Sequence, residues 1–362
     1  MRVTAVGLVV CLSIVVRAQQ SAPPAPAPPL AERPATPEPA EGRRISIDMM
    51  VTDKSGAPVS GLQQQDFNLL DDKQPQKVIA FAAFDDTNPA AAPPQQLIFV
   101  VDAVNTSYTT MAMERQQIAE FLHASGHQLP VPASFVFFTE TSTQMQPHPS
   151  RDTIELANIL SANDAGFRAV GRSAGFYGAA ERAQLSIRAL SQLISYESNQ
   201  PGRKLVIWIS PGWALLSGAN TINDLTQKQL DILFNSVVQL SGQLRQARMT
   251  LYSIDPLGLS DAGSGRTFFY KEFLKGVPSA KKVSNGNLAL QVLAVQSGGR
   301  VLNSSNDIAP LLASCVNETK AYYTLSFDAA RADHANEYHS LEVTVAKPGL
   351  TARTRTGYYA QP

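Results

Sequence analysis

The chain has 362 residues, 44% of them hydrophobic and 17% charged, which is enough apolar content for one large domain and a smaller one. Its 30 basic and 30 acidic residues cancel to a formal net charge of zero, so no global field draws it to nucleic acid or to an anionic membrane.

Residues 1–18 open with Arg2, continue through an apolar stretch from Val6 to Val16, and end on Ala18 before Gln19. This is the pattern of a secretory signal peptide. It predicts bacterial export to the periplasm or the cell exterior. The apolar stretch is too short to span a bilayer, and no later segment is long and apolar enough to do so. Cys11 lacks the small residues that would precede a lipoprotein cleavage site. With the signal removed, Cys315 is the one remaining cysteine and no intrachain disulfide can form. Its helical spacing with Leu311, Leu312 and Val316 points to a buried, inert thiol.

Residues 19–44 are dominated by Pro and Ala, a composition that favours an extended, semi-rigid spacer. From Ile45 the pattern alternates. The stretch I-S-I-D-M-M-V-T-D, then F-N-L-L-D-D-K and V-I-A-F-A-A-F read as strands within 45–88, with turn chemistry at Asp53, Ser55 and Gly56 and again at Asp72 and Lys73. They cannot close a core alone. The β-rich segments 322–327, 338–346 and 351–359 offer partners, and both ends of the chain are expected to pair into one small β-sandwich spanning 45–88 and 320–360.

Between them, over 95–319, strands and helices alternate, which predicts a βαβ architecture with a mainly parallel sheet flanked by helices. Strands are expected at 97–101, 134–138, 205–209, 249–254 and 300–302. Helices are expected at 111–124, 153–160, 179–196, 225–246, 288–296 and 308–319. The first strand, L-I-F-V-V, is apolar throughout, as a strand covered on both faces must be. It ends in Asp102, and ligands of open α/β sheets bind beyond the carboxyl ends of the strands. An acidic group there, followed by Asn105, Thr106 and Ser107, suggests an oxygen-rich ion or ligand site. The bland alternative is a loop cap.

Five segments, taken together, carry a resemblance: V-T-D-K-S-G-A-P-V-S-G-L-Q-Q-Q-D-F, I-F-V-V-D-A-V-N-T, P-G-R-K-L-V-I-W-I-S-P-G, Y-S-I-D-P-L-G-L and R-T-G-Y-Y-A. In this order and spacing the chain resembles a von Willebrand factor A (vWA) domain, and more specifically the VWFA-related family described mostly from Acidobacteria. The resemblance implies a vWA-like Rossmannoid α/β fold and a metal-ion-dependent adhesion site, MIDAS, that holds Mg²⁺ at the sheet's C-terminal edge. Such a site binds a partner's carboxylate without transforming it.

Matched by position, Asp102 takes the place of the Asp of the family's DxSxS loop, Val104 replaces its first Ser and Thr106 matches its second. Asn105 can supply the lost oxygen only if the loop follows a different path. The Asp-Gly expected after a later strand is Ser210-Pro211-Gly212, and residues 163–178 contain one serine, Ser173, and no threonine. Asp102, Asn105 and Thr106 therefore form a degenerate set, and weak or absent dependence on Mg²⁺ is expected. Asp255 emerges at the same edge and reads as the cap of the Pro256-Leu257-Gly258 turn.

Residues 258–285 mix Arg266, Lys271, Lys275, Lys281 and Lys282 with Phe268, Phe269, Tyr270 and Phe273. Basic residues among aromatics at a ligand-facing edge suggest a contact surface for a protein, or alternatively a glycan. An amphipathic segment packing its aromatics inward reads equally well. Arg168 and Arg172 would add to the patch. Ser210 and Trp213 lie in the same region, with Trp213 either exposed for stacking or buried under edge loops. His123 and His127 have metal-like spacing, but Gly126 interrupts the helix end. His334 and His339 read as part of a polar turn. No GxSxG, P-loop or GxGxxG is present. The expected function is thus a non-enzymatic interaction or adhesion module that binds a protein partner at the sheet edge. An exported hydrolase using Ser210 or Asp102, or a structural envelope component, is the alternative.

Overall fold

The structure, a computed structural model, describes residues 44–85, 93–163, 175–213, 215, 225–258 and 269–362. The predicted signal peptide, most of the spacer, and Arg168, Arg172, Ser173, Arg266 and Phe268 lie outside the described residues.

The first strand of the central sheet, β5 (Gln95–Asp102), follows four strands taken up below. Leu97, Ile98, Phe99, Val100 and Val101 are each 0% exposed, because both faces of the sheet are covered. The sheet continues with β6 (Gln128–Phe138), β7 (Thr143–Met145), β8 (Ser150–Asp152), β9 (Arg203–Ile209), β10 (Met249–Ile254) and β11 (Val301–Leu302). Its order is β11-β10-β9-β5-β6-β7, with β8 also on β6. All neighbours are parallel except β7 and β8, which run antiparallel to β6. These two short strands have no pattern long enough to be legible beforehand.

Alternate residues of β5 serve two cores. Leu97, Phe99 and Val101 pack with Met111, Ile118 and Phe121 of α1 (Tyr108–Ala124), Leu156 and Leu160 of α2 (Thr153–Ala162), and helix α6 (Ile308–Asn317). Ile98 and Val100 pack with α3 (Gly175–Glu197), α4 (Gln227–Gln246) and α5 (Leu290–Gln296). The helices begin where side chains cap them: Ser107 accepts from the Thr110 amide, Asp152 from Ile154 and Glu155, and Thr226 forms a capping box with Gln229.

The two ends of the chain supply two antiparallel four-stranded sheets. One has the order β14-β1-β12-β4, from β14 (Thr351–Arg353), β1 (Arg44–Thr52), β12 (Ala321–Asp328) and β4 (Ala80–Asp85). The other is β15-β13-β2-β3, from β15 (Gly357–Ala360), β13 (Glu337–Val345), β2 (Phe67–Asp71) and β3 (Gln74–Pro75). They share one core, with Ile47, Met49, Leu325 and Phe327 facing Phe67, Leu69, Leu341, Val343 and Tyr358. The segment read as one strand over 351–359 is two, because the chain changes sheets there. Gly357 permits the crossing: a Cβ on it would stand 2.3 Å from the Tyr338 hydroxyl.

The sandwich docks on the N-terminal side of the parallel sheet through buried and half-buried charges. Arg248 makes two hydrogen bonds to Asp48 (2.6 and 3.2 Å), and Arg203 lies over the Tyr322 ring at 4.7 Å. Glu318, 1% exposed, accepts from Tyr252 (2.5 Å) and from Arg353, and pairs with Arg300 at 3.3 Å. This docking leaves the carboxyl ends of the parallel strands to the loops.

Candidate functional site

The chain leaves β5 for β6 on one side and later returns to β9 on the other. Asp102, the last residue of β5, thus stands at the sheet's topological switch point, where diverging loops open a crevice. It is 0% exposed. One carboxylate oxygen accepts from the amides of Val104 and Asn105, both at 2.9 Å. The other accepts from Asn105 Nδ2 at 2.8 Å and from the Trp208 indole at 2.9 Å. A carboxylate has about four lone-pair directions, and here four protein donors take them. Burial raises the Asp102 pKa, against hydrogen bonds from Trp208, Asn105 and Ser210.

Asn105, the second residue of the expected set, spends its amide on Asp102 and on Ser186 Oγ of α3 (2.9 Å). Thr106, the third, is fully buried and lies beside Glu114 of α1. Sequence reading missed Glu114. Its carboxylate is 0% exposed and makes no hydrogen bond of standard geometry among the described residues. Burial, then the charge of Asp102 and more weakly that of Asp255, outweighs the Thr106 hydroxyl and holds its pKa well above the ordinary carboxylate range. The signal was present: Glu114 shares a helical stripe with Met111, Ile118 and Phe121.

That arrangement has a measurable consequence. A group whose folded pKa is raised adds stability below its unfolded pKa and loses it as pH rises through the folded value. Wild-type stability is therefore expected to fall as pH rises above about 4.5, the ordinary Glu value. Glu114→Gln should flatten that slope and gain about 1–3 kcal/mol at pH 8 relative to wild type. Urea titrations of both proteins at pH 5 and pH 8 decide it, and parallel pH profiles would refute it.

The remaining positions are placed as follows. Ser210 is 0% exposed, and its hydroxyl accepts from the Gly212 amide at 3.1 Å. Trp213 is 2% exposed and packs edge-on to Trp208 at 5.2 Å, so of its two readings the structure has burial. Neither side chain is presented to a partner. Asp255 accepts from the Leu257 amide at 2.9 Å, capping the turn as read. His123 and His127 are exposed at the end of α1.

The segment from Phe269 onward is divided between packed and exposed side chains. Tyr270 and Phe273 pack on Ala289 and Val292, with Leu215 in the same cluster, while Phe269 remains 45% exposed and Lys271 and Lys275 are exposed. Gln291, close by, donates to the carbonyl of Pro211 at 3.3 Å, which fixes this cluster beside the loop after β9. The segment then leaves the edge. Gly276 lies against the Tyr338 ring, the Val277 amide donates to the Tyr359 hydroxyl at 3.4 Å, and Val277 and Val283 enter the core under α4. Residues 269–285, the described part of this segment, therefore form not an edge loop but a strap running to the sandwich. Tyr108, which opens α1 directly after the Asp102 loop, is 61% exposed and went unnoticed in the sequence.

A second convergence of ionisable groups lies in the sandwich. Asp71, Asp72 and His339 bring three potential metal-ligating atoms within 4.8 Å of one another. His339 is not in a polar turn but inside β13, 7% exposed. Parity along the strands would have revealed it, since Asp71 follows Phe67 and Leu69 on the inward face and His339 precedes Leu341 and Val343.

Neither a protein-family profile nor a curated protein sequence matches the chain. Among solved structures it is similar to proximal thread matrix protein 1 from the mussel byssus, at 12% identity and a TM-score of 0.37, over 69% of this chain and 51% of that one. It is also similar to the manganese-loaded Plasmodium vivax TRAP protein, at 8% identity and a TM-score of 0.36, over 82% of this chain and 100% of that one. A von Willebrand factor type A protein from Catenulispora acidiphila follows at 10% and 0.33, over 88% and 74%. The chain thus spans about half the length of the mussel protein.

Proposed function

We propose that the chain is an exported, non-enzymatic interaction module with a vWA-like domain, which binds a protein partner at the C-terminal edge of its parallel sheet without needing a divalent cation. Asp102 carries this reading. It occupies the switch-point position a cation ligand would take, yet Val104, Asn105 and Trp208 already fill its acceptor directions. An ion there would have to displace four donors from these three residues and to recruit neutral oxygens, which hold hard cations poorly. The degenerate MIDAS is on this view a rigid, metal-free anchor for the loop that begins α1.

The non-enzymatic part is supported by Ser210, whose fully buried hydroxyl accepts from the Gly212 amide. Export rests on the pattern of residues 1–18, and among the described residues no helix is long and apolar enough to cross a membrane. The partner surface is assigned to Tyr108, Phe269 and Lys271, with Arg266 as a further member outside the described residues. A protein fits this mix of exposed aromatics and cations better than a glycan, which would want a stacking platform inside a groove.

The test places a photo-crosslinking residue at Tyr108 or at Phe269 in the full chain, in its native envelope. Capture of one partner, equal in EDTA and in Mg²⁺ and reduced at least tenfold by Lys271→Glu, is the expected result. Capture that requires Mg²⁺ would overturn the metal-free reading, and capture untouched by Lys271→Glu would overturn the surface. Deleting 258–285 is the wrong experiment, because Val277 and Val283 belong to the core.

A further inference from the structure

We propose that Asp71, Asp72 and His339 form a binding site for one divalent transition-metal ion of the zinc class, separate from the sheet edge and independent of the function proposed there. The three residues come from the end of β2, the turn after it, and β13. His339 Nδ1 stands 3.0 Å from Asp71 Oδ1 and 3.5 Å from Asp72 Oδ2. Ligands bound at 2.0–2.1 Å around a tetrahedral ion lie about 3.3 Å apart. The two distances bracket that edge.

The other carboxylate oxygens are held by the protein. Asp71 Oδ2 accepts from the Tyr358 hydroxyl at 2.7 Å, and Asp72 Oδ1 accepts from the Ser340 amide and hydroxyl, both at 2.8 Å. Each carboxylate is thereby turned so that its remaining oxygen faces the imidazole. Outer contacts of this kind orient metal ligands and strengthen their hold on the ion. Tyr358 also stacks on the His339 ring at 5.1 Å and fixes its plane.

Charge and burial point independently in the same direction. Two carboxylates face one imidazole, and among the described residues neither Asp71 nor Asp72 makes an ion pair with any Lys or Arg. Even a protonated His339 leaves the group with surplus negative charge, which a divalent ion would remove. His339 is more than nine-tenths buried; its Nδ1, hydrogen-bonded to Asp71, is aimed between the two carboxylates, where an ion would replace that bond, and its Nε2 has no hydrogen-bond partner among the described residues. The Asp72 side chain is 49% exposed, which gives an entry path and a fourth position open to water or to a ligand from another molecule. A nitrogen donor with two carboxylates suits zinc or a similar transition metal better than Mg²⁺, which prefers all-oxygen sites.

The experiment is calorimetric titration of chelator-stripped full-length protein with ZnCl₂, on wild type and on Asp72→Asn. Asparagine keeps the acceptor for Ser340 and tolerates the positive φ of 45° at this position, so the fold is retained while the charged ligand oxygen is lost. One Zn²⁺ per chain, about tenfold or more weaker in Asp72→Asn, with a shift of the His339 ring ¹⁵N resonances on binding, is the expected result. No binding at micromolar Zn²⁺, affinity equal in the two proteins, or binding that leaves the His339 resonances in place would each overturn the site.

Discussion

Glu318→Ala is expected to cost about 3–5 kcal/mol, the largest loss from any single side chain at the seam between the two folding layers. Glu318 is 1% exposed and sits at the end of α6. Its carboxylate gathers Arg300 from the loop before β11, Arg353 from β14 of the sandwich, and the Tyr252 hydroxyl from β10. Removal leaves two half-buried cations and a buried hydroxyl without their acceptor, and a cost of this size follows from stranding charges rather than from the net worth of the pairs. Burial and the Glu318 charge push the Tyr252 pKa upward, so the phenol remains a donor throughout the useful pH range. Glu318→Gln should fall between wild type and alanine, because an amide oxygen still accepts from Tyr252 but leaves both guanidinium charges unbalanced. Urea unfolding of the three proteins measures this. A loss below 1 kcal/mol for alanine would show that the seam is held by packing and not by this hub.

Asp102→Ala is expected to cost a similar amount, about 3–5 kcal/mol, and to cost the same in EDTA as in Mg²⁺. Four donors converge on the carboxylate, and a methyl group accepts from none of them. Asparagine is a poor substitute here. Its oxygen can keep the Val104 and Asn105 amides, but its NH₂ would then face the Trp208 N–H and the Asn105 NH₂, donor against donor. An Mg²⁺-dependent difference between wild type and Asp102→Ala would return the residue to a conventional cation site. Thermal unfolding with and without the metal is sufficient to decide.

The two carboxylates differ in what they could disclose beforehand. Asp102 was legible because a five-residue apolar run makes a strand buried on both faces, and the residue that ends such a strand emerges at an edge. Its hydrogen-bond saturation was not legible, because the decisive donor, Trp208, belongs to a strand more than a hundred residues away. Glu114 was legible in principle, since it interrupts the apolar stripe of its own helix, and was passed over. Arg203 and Lys204 open a strand and are nearly fully buried, at 1% and 2% exposure, against every expectation from their charge. The aromatic ring of Tyr322 and the backbone carbonyls of Gln200 and Ala247 make this tolerable.

The sequence by itself determined the alternation of strands and helices, the double burial of β5, the placing of Asp102 at a sheet edge, and the pairing of both chain ends into antiparallel sheets. These follow from local periodicity, and the hydrophobic effect acts on periodicity wherever the segment ends up. Only the tertiary structure decided which polar groups meet. It brought Asp71 and Asp72 to His339 across about 268 positions, set Trp208 on Asp102, and carried the strap after Phe269 down to Tyr338 and Tyr359. Hydrogen bonds and ion pairs act over a few ångströms and depend on orientation. Their partners are therefore fixed by register and crossover, neither of which leaves a trace in the residues on its own side of the contact.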